Sequence, residues 1–267
     1  MTASLVITTY NWPEALKVVF ESILNQVVLP LEIVIADDGS GEDTKRLIED
    51  YQNKFSIPLI HSWQEDNGFR AAESRNKAIA KTSGEYIILI DGDMLLDKNF
   101  IKDHINNARK GYFIQGGRVI LNKELSKKIL SFEVNGISFL QKNIKNRKNM
   151  INNKFLSKLF SYEKNNLKGI RTCNMSFFKK DCLDINGFDN NFIGWGREDS
   201  EFVVRLLNNN IKRKNIKFNC TAYHIWHNEN SRKSLKENDA ILKNSIKNKV
   251  IFCNNGIDKF IKGNNEK

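Results

Sequence analysis

Short apolar runs alternate with longer amphipathic stretches over the first hundred residues of the chain. Runs rich in β-branched residues predict buried strands at residues 3–9, 31–36, 57–63 and 86–90. The stretches between them predict three helices: one capped by Asn11, with Pro13 in its first turn, that ends near Asn25, one that ends near Lys54, and one at 70–81. Strands that are apolar throughout and alternate with helices are typical of a mostly parallel sheet with helices on both faces. The chain is therefore predicted to have an α/β fold.

The pattern is less regular after residue 100. Apolar runs predict strands at residues 112–121, 170–178 and 220–226, and amphipathic periodicity predicts a helix at 198–207. Residues 123–168 are polar and irregular, and we interpret them as a helical insertion. A further helix is predicted from residue 231 to about 254. We therefore expect one domain over residues 1–230, followed by a basic helix and tail at 231–267.

Polar clusters follow three of the predicted strands, at the edge where a parallel sheet binds ligands. They are Thr8-Thr9-Tyr10, Asp37-Asp38 and Asp91-Gly92-Asp93. Two carboxylates one residue apart can share a divalent cation, because Mg²⁺ and Mn²⁺ prefer oxygen ligands. Such a cation neutralises a diphosphate as it leaves. The alternative for the last cluster, taken by itself, is an ordinary acidic turn.

The order and spacing of these motifs resemble the large family of inverting glycosyltransferases numbered family two, which have the GT-A fold. The resemblance is carried by 6–11, 33–40, 67–72, Arg75-Asn76 and 84–93. It implies a Rossmann-like, mostly parallel central sheet, with a nucleotide-binding half at 1–100 and an acceptor-binding half at 101–230. It also implies a UDP-sugar donor bound with Mn²⁺ or Mg²⁺.

The same resemblance implies a role for several individual side chains. Thr8, Thr9 and Tyr10 would line a uracil pocket, and Asp38 would bind the base or the ribose. Arg70 and Arg75 would meet the phosphates beside Asp91 and Gly92, although Arg75 could equally pair with Asp91 or Asp38. Asn174 lies where relatives have a residue near the sugar.

A second motif, at residues 192–201, reads Phe-Ile-Gly-Trp-Gly-Arg-Glu-Asp-Ser-Glu. It resembles the Gly-Trp-Gly-x-Glu-Asp-x-Glu motif of animal β-1,4-galactosyltransferases and of bacterial chondroitin-polymerase-type enzymes. The resemblance implies that Asp199 is the general base and that Glu198 binds a sugar. Gly194 and Gly196 would allow close backbone approach, and Trp195 would stack on a sugar ring. The alternative is that Glu198 and Asp199 are only favourable charges in a first helical turn.

A third metal ligand is expected from the segment Ala222-Tyr223-His224-Ile225-Trp226-His227. Residues three apart in a strand face opposite sides, so one of the two histidines is expected to reach the metal together with Asp93. Resemblance to polymerase-type relatives favours His224. The spacing in animal galactosyltransferases favours His227.

Charge is distributed unevenly along the 267 residues, whose formal net charge is +11. Residues 1–100 contain 9 Lys and Arg against 16 Asp and Glu, whereas residues 141–171 contain 9 against 1 and residues 212–267 contain 13 against 5. A nucleic-acid-binding protein would not begin with an acidic hundred residues, so no nucleic-acid partner is expected. The basic stretches could contact an anionic membrane or a phosphorylated acceptor, or could simply be solvated.

The sequence has no run of about 18 apolar residues, and its start lacks the features of a signal peptide. We therefore expect a cytoplasmic protein. A further expectation is peripheral contact at the inner face of the membrane. The four cysteines match no zinc-binding spacing and are predicted to be free thiols: Cys173, Cys182, Cys220 and Cys253.

The resemblance predicts an inverting transferase that moves a hexose or N-acetylhexosamine, with galactose favoured, onto an oligosaccharide or lipid-linked glycan. Synthesis of bacterial capsule or lipopolysaccharide is the expected setting. One alternative is a carbohydrate-binding module without activity, against which Asp91, Asp93 and Asp199 argue. Another is a nucleotide-sugar-forming nucleotidyltransferase, which would need a Gly-rich basic loop after the first strand, where residues 11–14 read Asn-Trp-Pro-Glu. A dinucleotide oxidoreductase would need Gly-x-Gly-x-x-Gly there.

Overall fold

Two β-sheets organise the computed structural model, which describes residues 1–134, 136–228 and 231–261. Within those residues the strands in chain order are β1 (Ala3–Thr9), β2 (Glu32–Asp37), β3 (Leu59–Trp63), β4 (Tyr86–Asp91), β5 (Met94–Leu96), β6 (Tyr112–Gln115), β7 (Arg118–Ile120), β8 (Tyr162–Glu163), β9 (Asn174–Phe178), β10 (Lys212–Asn215) and β11 (Ala222–His224). The larger sheet has the order β3-β2-β1-β4-β9-β6-β10-β8, and the smaller has the order β5-β11-β7.

The larger sheet is parallel on one side and mixed on the other. β1 pairs in parallel with β2 and β4, and β2 pairs in parallel with β3. β9 is antiparallel to both β4 and β6, β10 is parallel to β6, and β8 is antiparallel to β10. The predicted α/β class and mostly parallel sheet are therefore confirmed.

Helices cover both faces of the larger sheet. Those in the described residues are α1 (Pro13–Leu24), α2 (Glu42–Gln52), α3 (Ala71–Lys81), α4 (Phe100–Asn107), α5 (Lys123–Leu130), α6 (Lys154–Phe160), α7 (Lys179–Asp184), α8 (Glu198–Asn208), α9 (Leu235–Lys247) and α10 (Asp258–Ile261), with a 3₁₀ turn at Arg147–Met150. In the part of the chain that the structure describes, none of the helices is both long and apolar enough to cross a membrane.

Alternation along each strand divides the core into two layers. Ile7, Ile35 and Ile88 face α1, α2 and α4, whereas Val34 and Leu89 face α3, α7 and α8. Every residue of β2 is buried, which is what a strand covered on both faces requires. The continuous apolar runs of the sequence follow from this double coverage.

The predicted cap on α1 is wrong. Pro13 does occupy the first turn, but the residue before the helix is Trp12, and no side chain caps the helix there. Asn11 instead adopts a positive φ of 46°, and its side-chain oxygen accepts a hydrogen bond from the backbone N–H of Gly41. Asn11 thus fixes the loop after β2 rather than the start of α1.

The second half departs further from its predicted elements. The single strand predicted at residues 112–121 is two strands, β6 and β7, which enter different sheets after a break at Gly116 and Gly117. Within the described residues of 123–168, the helical parts are α5, α6 and the 3₁₀ turn, and β8 joins this segment to the edge of the larger sheet. Strands β5 and β10 have no counterpart in the prediction, because each is too short or too basic to show an apolar pattern.

The segment after residue 231 packs into the domain instead of forming a separate tail. Ile257 is buried in the same cluster as Phe202 of α8, and Cys253 is buried beside Asn186. The Asn186 side-chain amide donates to the Cys253 carbonyl, and its oxygen accepts from the Asp258 N–H. The part after residue 231 therefore packs against α8, while the predicted domain bounds stay a prediction and residues 262–267 lie outside the described part.

Candidate active site

The carboxyl ends of β1, β2 and β4 open into a cavity of about 1160 Å³, here called the main cleft. Along the chain, β2 and β3 are added on one side of β1, and β4 is added on the other side. The place where the strand order reverses in this way is a topological switch point, and open α/β sheets bind ligands there. Predicted site residues that line the main cleft are Thr8, Thr9, Tyr10, Asp38, Arg75, Asp91, Gly92, Asp93, Trp195, Gly196, Glu198, Asp199, His224 and His227.

Both candidate histidines reach Asp93. The Nε2 atoms of His224 and His227 lie 3.4 Å and 3.3 Å from Asp93 Oδ2. The two side chains do not diverge as alternation along a strand would require, because β11 ends at His224 and His227 follows in an irregular segment. How many of them bind the metal stays a prediction. The smaller sheet explains the approach, since His224 pairs with Met94, the residue after Asp93.

The three side chains fit a divalent metal ion. One ligand atom from each lies within 4.8 Å of the others, and Asp93 Oδ1 is buried without a hydrogen-bond partner among the described residues. Burial, together with the charge of Asp91, raises the pKa of Asp93 to about 8. Burial and the nearby Arg118 charge lower the pKa of His224 to about 3, so its imidazole is neutral and able to coordinate a cation.

Arg75 of α3 connects both predicted motifs. Its guanidinium is 4% exposed and contacts Asp91, Glu198 and Asp199 at 3.3–3.4 Å, while its Nε donates to Thr8 Oγ1 at 3.1 Å. One cation faces three carboxylates, and the pKa of Arg75 is raised chiefly by Asp199 and Asp91, against its own burial. This guanidinium therefore contacts all three carboxylates and links them to one another.

The two acidic residues that begin α8 have different surroundings. Asp199 accepts hydrogen bonds from the Thr172 backbone N–H at 3.0 Å and from the Thr172 hydroxyl at 2.8 Å. Glu198 is more deeply buried, and burial raises its pKa to about 7, with Asp199 adding to the effect. The residue before them, Arg197, has a positive φ of 77°, which turns the chain sharply into the helix.

The far wall of the main cleft carries a second buried carboxylate. Asp38 accepts hydrogen bonds from the Arg70 backbone N–H at 2.8 Å and from Gln64 Nε2 at 2.6 Å. Burial raises its pKa to about 6. Tyr10 is half exposed at the entrance, and its hydroxyl donates to Asp66 at 2.9 Å. A flat ring and a carboxylate on one wall could hold a nucleoside.

Comparison with known proteins agrees with this geometry. The model of the family described as glycosyl transferase family 2 matches residues 4–184. The chain belongs to glycosyl transferase family 2. A second model, described as the N-terminal domain of galactosyltransferase, matches residues 156–228.

Individual relatives of this family 2 chain include polysaccharide synthases. It is 25% identical over 241 residues to a chondroitin synthase of Escherichia coli, and 33% identical over 103 residues to a hyaluronan synthase of Pasteurella multocida. These alignments cover 83% and 38% of the chain, but 34% and 10% of the respective relatives. The chain therefore spans about a third or less of the length of these two relatives.

Solved structures identify the fold as GT-A. The structure of residues 1–349 of TarS from S. aureus in complex with UDP matches 91% of the chain and 64% of its own, with a TM-score of 0.60 and 18% sequence identity. The predicted GT-A fold is thereby confirmed.

The glycines of this family 2 chain permit close packing around the cleft. A Cβ on Gly92 would lie 3.1 Å from the Thr8 carbonyl, which accepts a hydrogen bond from the Gly92 N–H at 2.7 Å. Gly194 has a positive φ of 76° and its N–H donates to the Phe69 carbonyl. Trp195, which is 37% exposed, lies with its ring centroid 5.6 Å from the Arg232 guanidinium.

Three predicted site residues do not line the main cleft. Gly194 lies in the turn that precedes α8, outside the lining of the main cleft. The Arg70 guanidinium points back to its own loop, where it contacts Glu73 and the Asn67 carbonyl. Asn174 is 1% exposed, and its amide contacts His104 and the carbonyls of Gly117 and Cys220. It lines a second cavity beside the main cleft.

The sequence motifs also miss functional candidates. Thr172 has no motif of its own, although it lies just before β9 and fixes Asp199. Arg118, Lys145 and Arg171 line the main cleft, and each comes from a stretch without recognisable spacing. The signal for Lys145 and Arg171 is the basic excess of residues 141–171, whereas Arg118 has none. All four cysteines are free and buried, as predicted.

Proposed function

We propose that this chain is a metal-dependent, inverting glycosyltransferase that uses a UDP-sugar donor. The observation that supports it most is the meeting, in one cleft, of a three-residue metal-binding group with a carboxylate fixed for proton transfer. Asp93, His224 and His227 supply the first, and Asp199 supplies the second. Neither a binding module nor a nucleotidyltransferase requires this combination.

The proposed donor is a uridine nucleotide. Thr8, Thr9, Tyr10 and Asp38 form a wall of suitable size and polarity for the nucleoside. The TarS fragment of the same fold was solved with UDP, which favours the same nucleotide here. Asp91 and Gly92 lie between that wall and the metal-binding group, where the diphosphate would bind.

The ligand set favours Mn²⁺ over Mg²⁺. Mg²⁺ prefers an all-oxygen shell, whereas two imidazole nitrogens and one carboxylate suit a transition metal better. A bound cation would neutralise the charge that develops on the leaving diphosphate. Asp91 faces Arg75 at 3.4 Å and stands outside the three-residue group, so we propose that it orients Arg75 and supports the metal site indirectly.

Asp199 is proposed as the general base. Its Oδ1 already contacts the Thr172 hydroxyl and Arg75, whereas its Oδ2 accepts only the Thr172 N–H among the contacts of the described residues. Since a carboxylate oxygen has two lone pairs, Oδ2 can accept one proton more. The acceptor oxygen bonds to the anomeric carbon, the bond from that carbon to the diphosphate oxygen breaks, and the acceptor proton passes to Asp199. This single displacement inverts the configuration.

The sugar and the setting belong to the same proposal. A hexose or N-acetylhexosamine is proposed, with galactose favoured by the match to the galactosyltransferase model at residues 156–228. The glycan acceptor is proposed to belong to a bacterial capsule or lipopolysaccharide, because the relatives include polysaccharide synthases.

We also propose a cytoplasmic location with peripheral contact to an anionic membrane. Helix α6 exposes Phe155 and Leu159 by 76% and 66%, next to Lys154 and Lys158. Exposed apolar side chains flanked by lysines favour an anionic lipid surface. Sedimentation with vesicles containing phosphatidylglycerol should carry the protein down at low salt, and Phe155→Ser should reduce the bound fraction.

A panel of UDP-sugars tests the proposed function. With Mn²⁺ and a saccharide acceptor, one donor should release UDP, and proton NMR of the product should show the anomeric configuration opposite to that of the donor. A product of retained configuration would contradict the single displacement. Equal inactivity of all UDP-sugars, with no UDP binding by calorimetry, would contradict the donor class.

A further inference from the structure

A second cavity, here called the basic cavity, lies beside the main cleft and has a volume of about 590 Å³. Its walls come from the β6–β7 turn, residues 146–149, residues 168–171 and strand β10. None of the residues proposed to bind the nucleoside lines it. The volume is in the range that holds a small organic ligand such as a sugar residue.

The lining of the basic cavity is strongly cationic. Seven of its residues are Lys or Arg, and none of those within the described ranges is Asp or Glu. Arg171, Arg213 and Lys217 are examples, and in the described part of the chain no cation of this lining forms an ion pair within 4 Å. Burial and the neighbouring Arg118 lower the pKa of Arg171. Cations gathered in a cavity without carboxylates favour an anion.

Buried donors without partners provide an independent observation. Among the described residues, Arg118 Nε, Arg213 Nε and Asn215 Nδ2 are buried and make no hydrogen bond, and all three belong to this lining. Arg213 is 4% exposed, and its Nη1 is fixed by the carbonyls of Asn166 and Lys168. Buried N–H groups usually have partners, so three unsatisfied donors at one cavity indicate a missing acceptor group.

The basic cavity is continuous with the main cleft. Arg118, Arg171 and Cys173 line both cavities. Burial raises the pKa of Asp91 and of Asp93, and Arg118 lies close enough to both for its charge to oppose that rise. A molecule that occupies the basic cavity can therefore extend into the space between the metal-binding group and Asp199.

We infer that the basic cavity binds a negatively charged sugar residue of the acceptor, which carries a carboxylate or a phosphate. This inference rests on the proposed function, because it assigns the side from which the acceptor enters. Arg118 and Arg171 would hold the anionic group near the main cleft, while Lys148, Lys168 and Lys217 would supply the outer charge. Charge-assisted hydrogen bonds from guanidinium groups provide both strength and orientation.

Binding of three sugars that differ in charge tests the inference. The full chain is saturated with UDP and Mn²⁺, so that anion sites in the main cleft are filled, and titrated by calorimetry with methyl β-glucuronide, glucose 6-phosphate and methyl β-glucoside. At least one anionic sugar should bind about tenfold or more tightly than the neutral glucoside, and added salt should reduce the difference. A preference for the glucuronide would indicate an acidic sugar, and a preference for the phosphate would indicate a phosphorylated one.

Two variants of equal charge serve as test and control. The triple variant Lys148→Gln, Lys168→Gln, Lys217→Gln alters the basic cavity, and we expect it to lose most of the preference for the anionic sugar. The matched variant Lys98→Gln, Lys110→Gln, Lys243→Gln changes exposed lysines elsewhere and should keep it. Equal binding of the neutral and anionic sugars by the unaltered chain, or equal behaviour of the two variants, would overturn the inference.

Release of UDP from the active donor into water, measured on the same samples, separates the two proposals. It should persist in the unaltered chain and in both triple variants, because water needs no anion site. An unaltered chain that releases no UDP but still prefers the anionic sugar would contradict the proposed function. The inferred anion site would still be supported.

Discussion

The side of the main cleft that we assign to the nucleotide and the side that borders the basic cavity differ in charge and in construction. On the first side, Asp38, Asp91 and Asp93 lie at or just beyond the ends of neighbouring parallel strands. On the second side, Arg118 and Arg171 come from turns and short strands whose directions are mixed. Regular strands thus place the carboxylates that we assign to the cation and the nucleotide, whereas irregular segments place the cations that we assign to the acceptor. Loops on a rigid scaffold commonly carry such recognition.

The two sides meet at Arg75 and Thr172. Arg75 joins Asp91 to Glu198 and Asp199, and Thr172 fixes Asp199 from the segment before β9. The proposed proton transfer therefore depends on contacts that cross between the two sides, and the largest loss is expected at Asp199, which both Arg75 and Thr172 contact.

The largest effect is expected from Asp199→Asn, because an amide cannot accept the acceptor proton. Turnover should fall by about 10²–10⁴-fold, the usual contribution of a general base, while UDP binding stays within about twofold. Steady-state kinetics measures the turnover, and calorimetry measures the binding of UDP. Asp50→Asn, an exposed change on α2, should be neutral. If Asp199→Asn turned over at close to the rate of the unaltered chain, Asp199 would not be the general base.

Loss of either histidine should weaken the metal site. His224→Gln and His227→Gln should each raise the Mn²⁺ concentration for half-maximal UDP release by about 100-fold or more, since outer-shell changes alone cost about 10–100-fold. His61→Gln, which removes a histidine paired with Asp37 outside the main cleft, is the control. An unchanged Mn²⁺ requirement in one variant would show that its histidine is not a ligand and would restore the single-histidine site.

A smaller effect is expected from Thr172→Val, which keeps the backbone N–H but removes the hydroxyl donor to Asp199. The turnover number should fall by about 10–100-fold, as expected for a hydrogen bond to a charged group, with the donor KM unchanged. Thr172→Ser should restore most of the rate because it returns the hydroxyl. A rise in donor KM that Ser does not reverse would indicate a purely structural role.

The smallest effect concerns stability and pH. Burial raises the pKa of Glu198 to about 7, so the folded chain holds a proton there that the unfolded chain releases near pH 4.5. The stability that this proton on Glu198 contributes to the folded chain is therefore fully present below pH 4.5 and is lost as the pH rises through about 7. Without metal or donor, Glu198→Gln should melt about 2–4 °C higher than the unaltered chain at pH 8, the shift for about 1 kcal/mol in a chain of about this size.

The pH dependence supplies the control for that last prediction. The two proteins should melt together at pH 4, where Glu198 is protonated in both states. Glu49→Gln, an exposed change on α2, should show no such dependence on pH. A lower melting temperature of Glu198→Gln at pH 8 would mean that Arg75 needs this negative charge more than burial opposes it.

Sequence patterns could predict the parallel half because its central strands β1, β2 and β4 are almost entirely buried. β1 was predicted with its observed bounds, and the ends of β2 and β4 carry their carboxylates as expected. Patterns of this kind could not resolve β10, whose residues Lys-Arg-Lys-Asn form an inner strand without apolar periodicity. A position in a motif also does not reveal that the amide of Asn174 bonds to carbonyls 46 and 57 residues away. Its expected place near the sugar stays a prediction.

Sequence patterns also could not predict the arrangement of the two histidines at the candidate metal site. Alternation along a strand predicted that His224 and His227 would diverge. β11 ends after His224, however, and only the pairing of β11 with β5 reveals that both side chains turn to Asp93. Neither strand is longer than three residues, too short for a sequence pattern to detect.

The central claim is that a metal held at Asp93 is required for transfer from a nucleotide sugar. Its most direct test is UDP release from the active donor with Mn²⁺ or EDTA, in the unaltered chain and in Asp93→Asn, with Asp50→Asn as control. We predict release that EDTA abolishes and added Mn²⁺ restores in the unaltered chain and the control, and no metal-dependent release in Asp93→Asn. Metal-dependent release by Asp93→Asn at the rate of the control, or release by the unaltered chain that EDTA does not affect, would contradict the account.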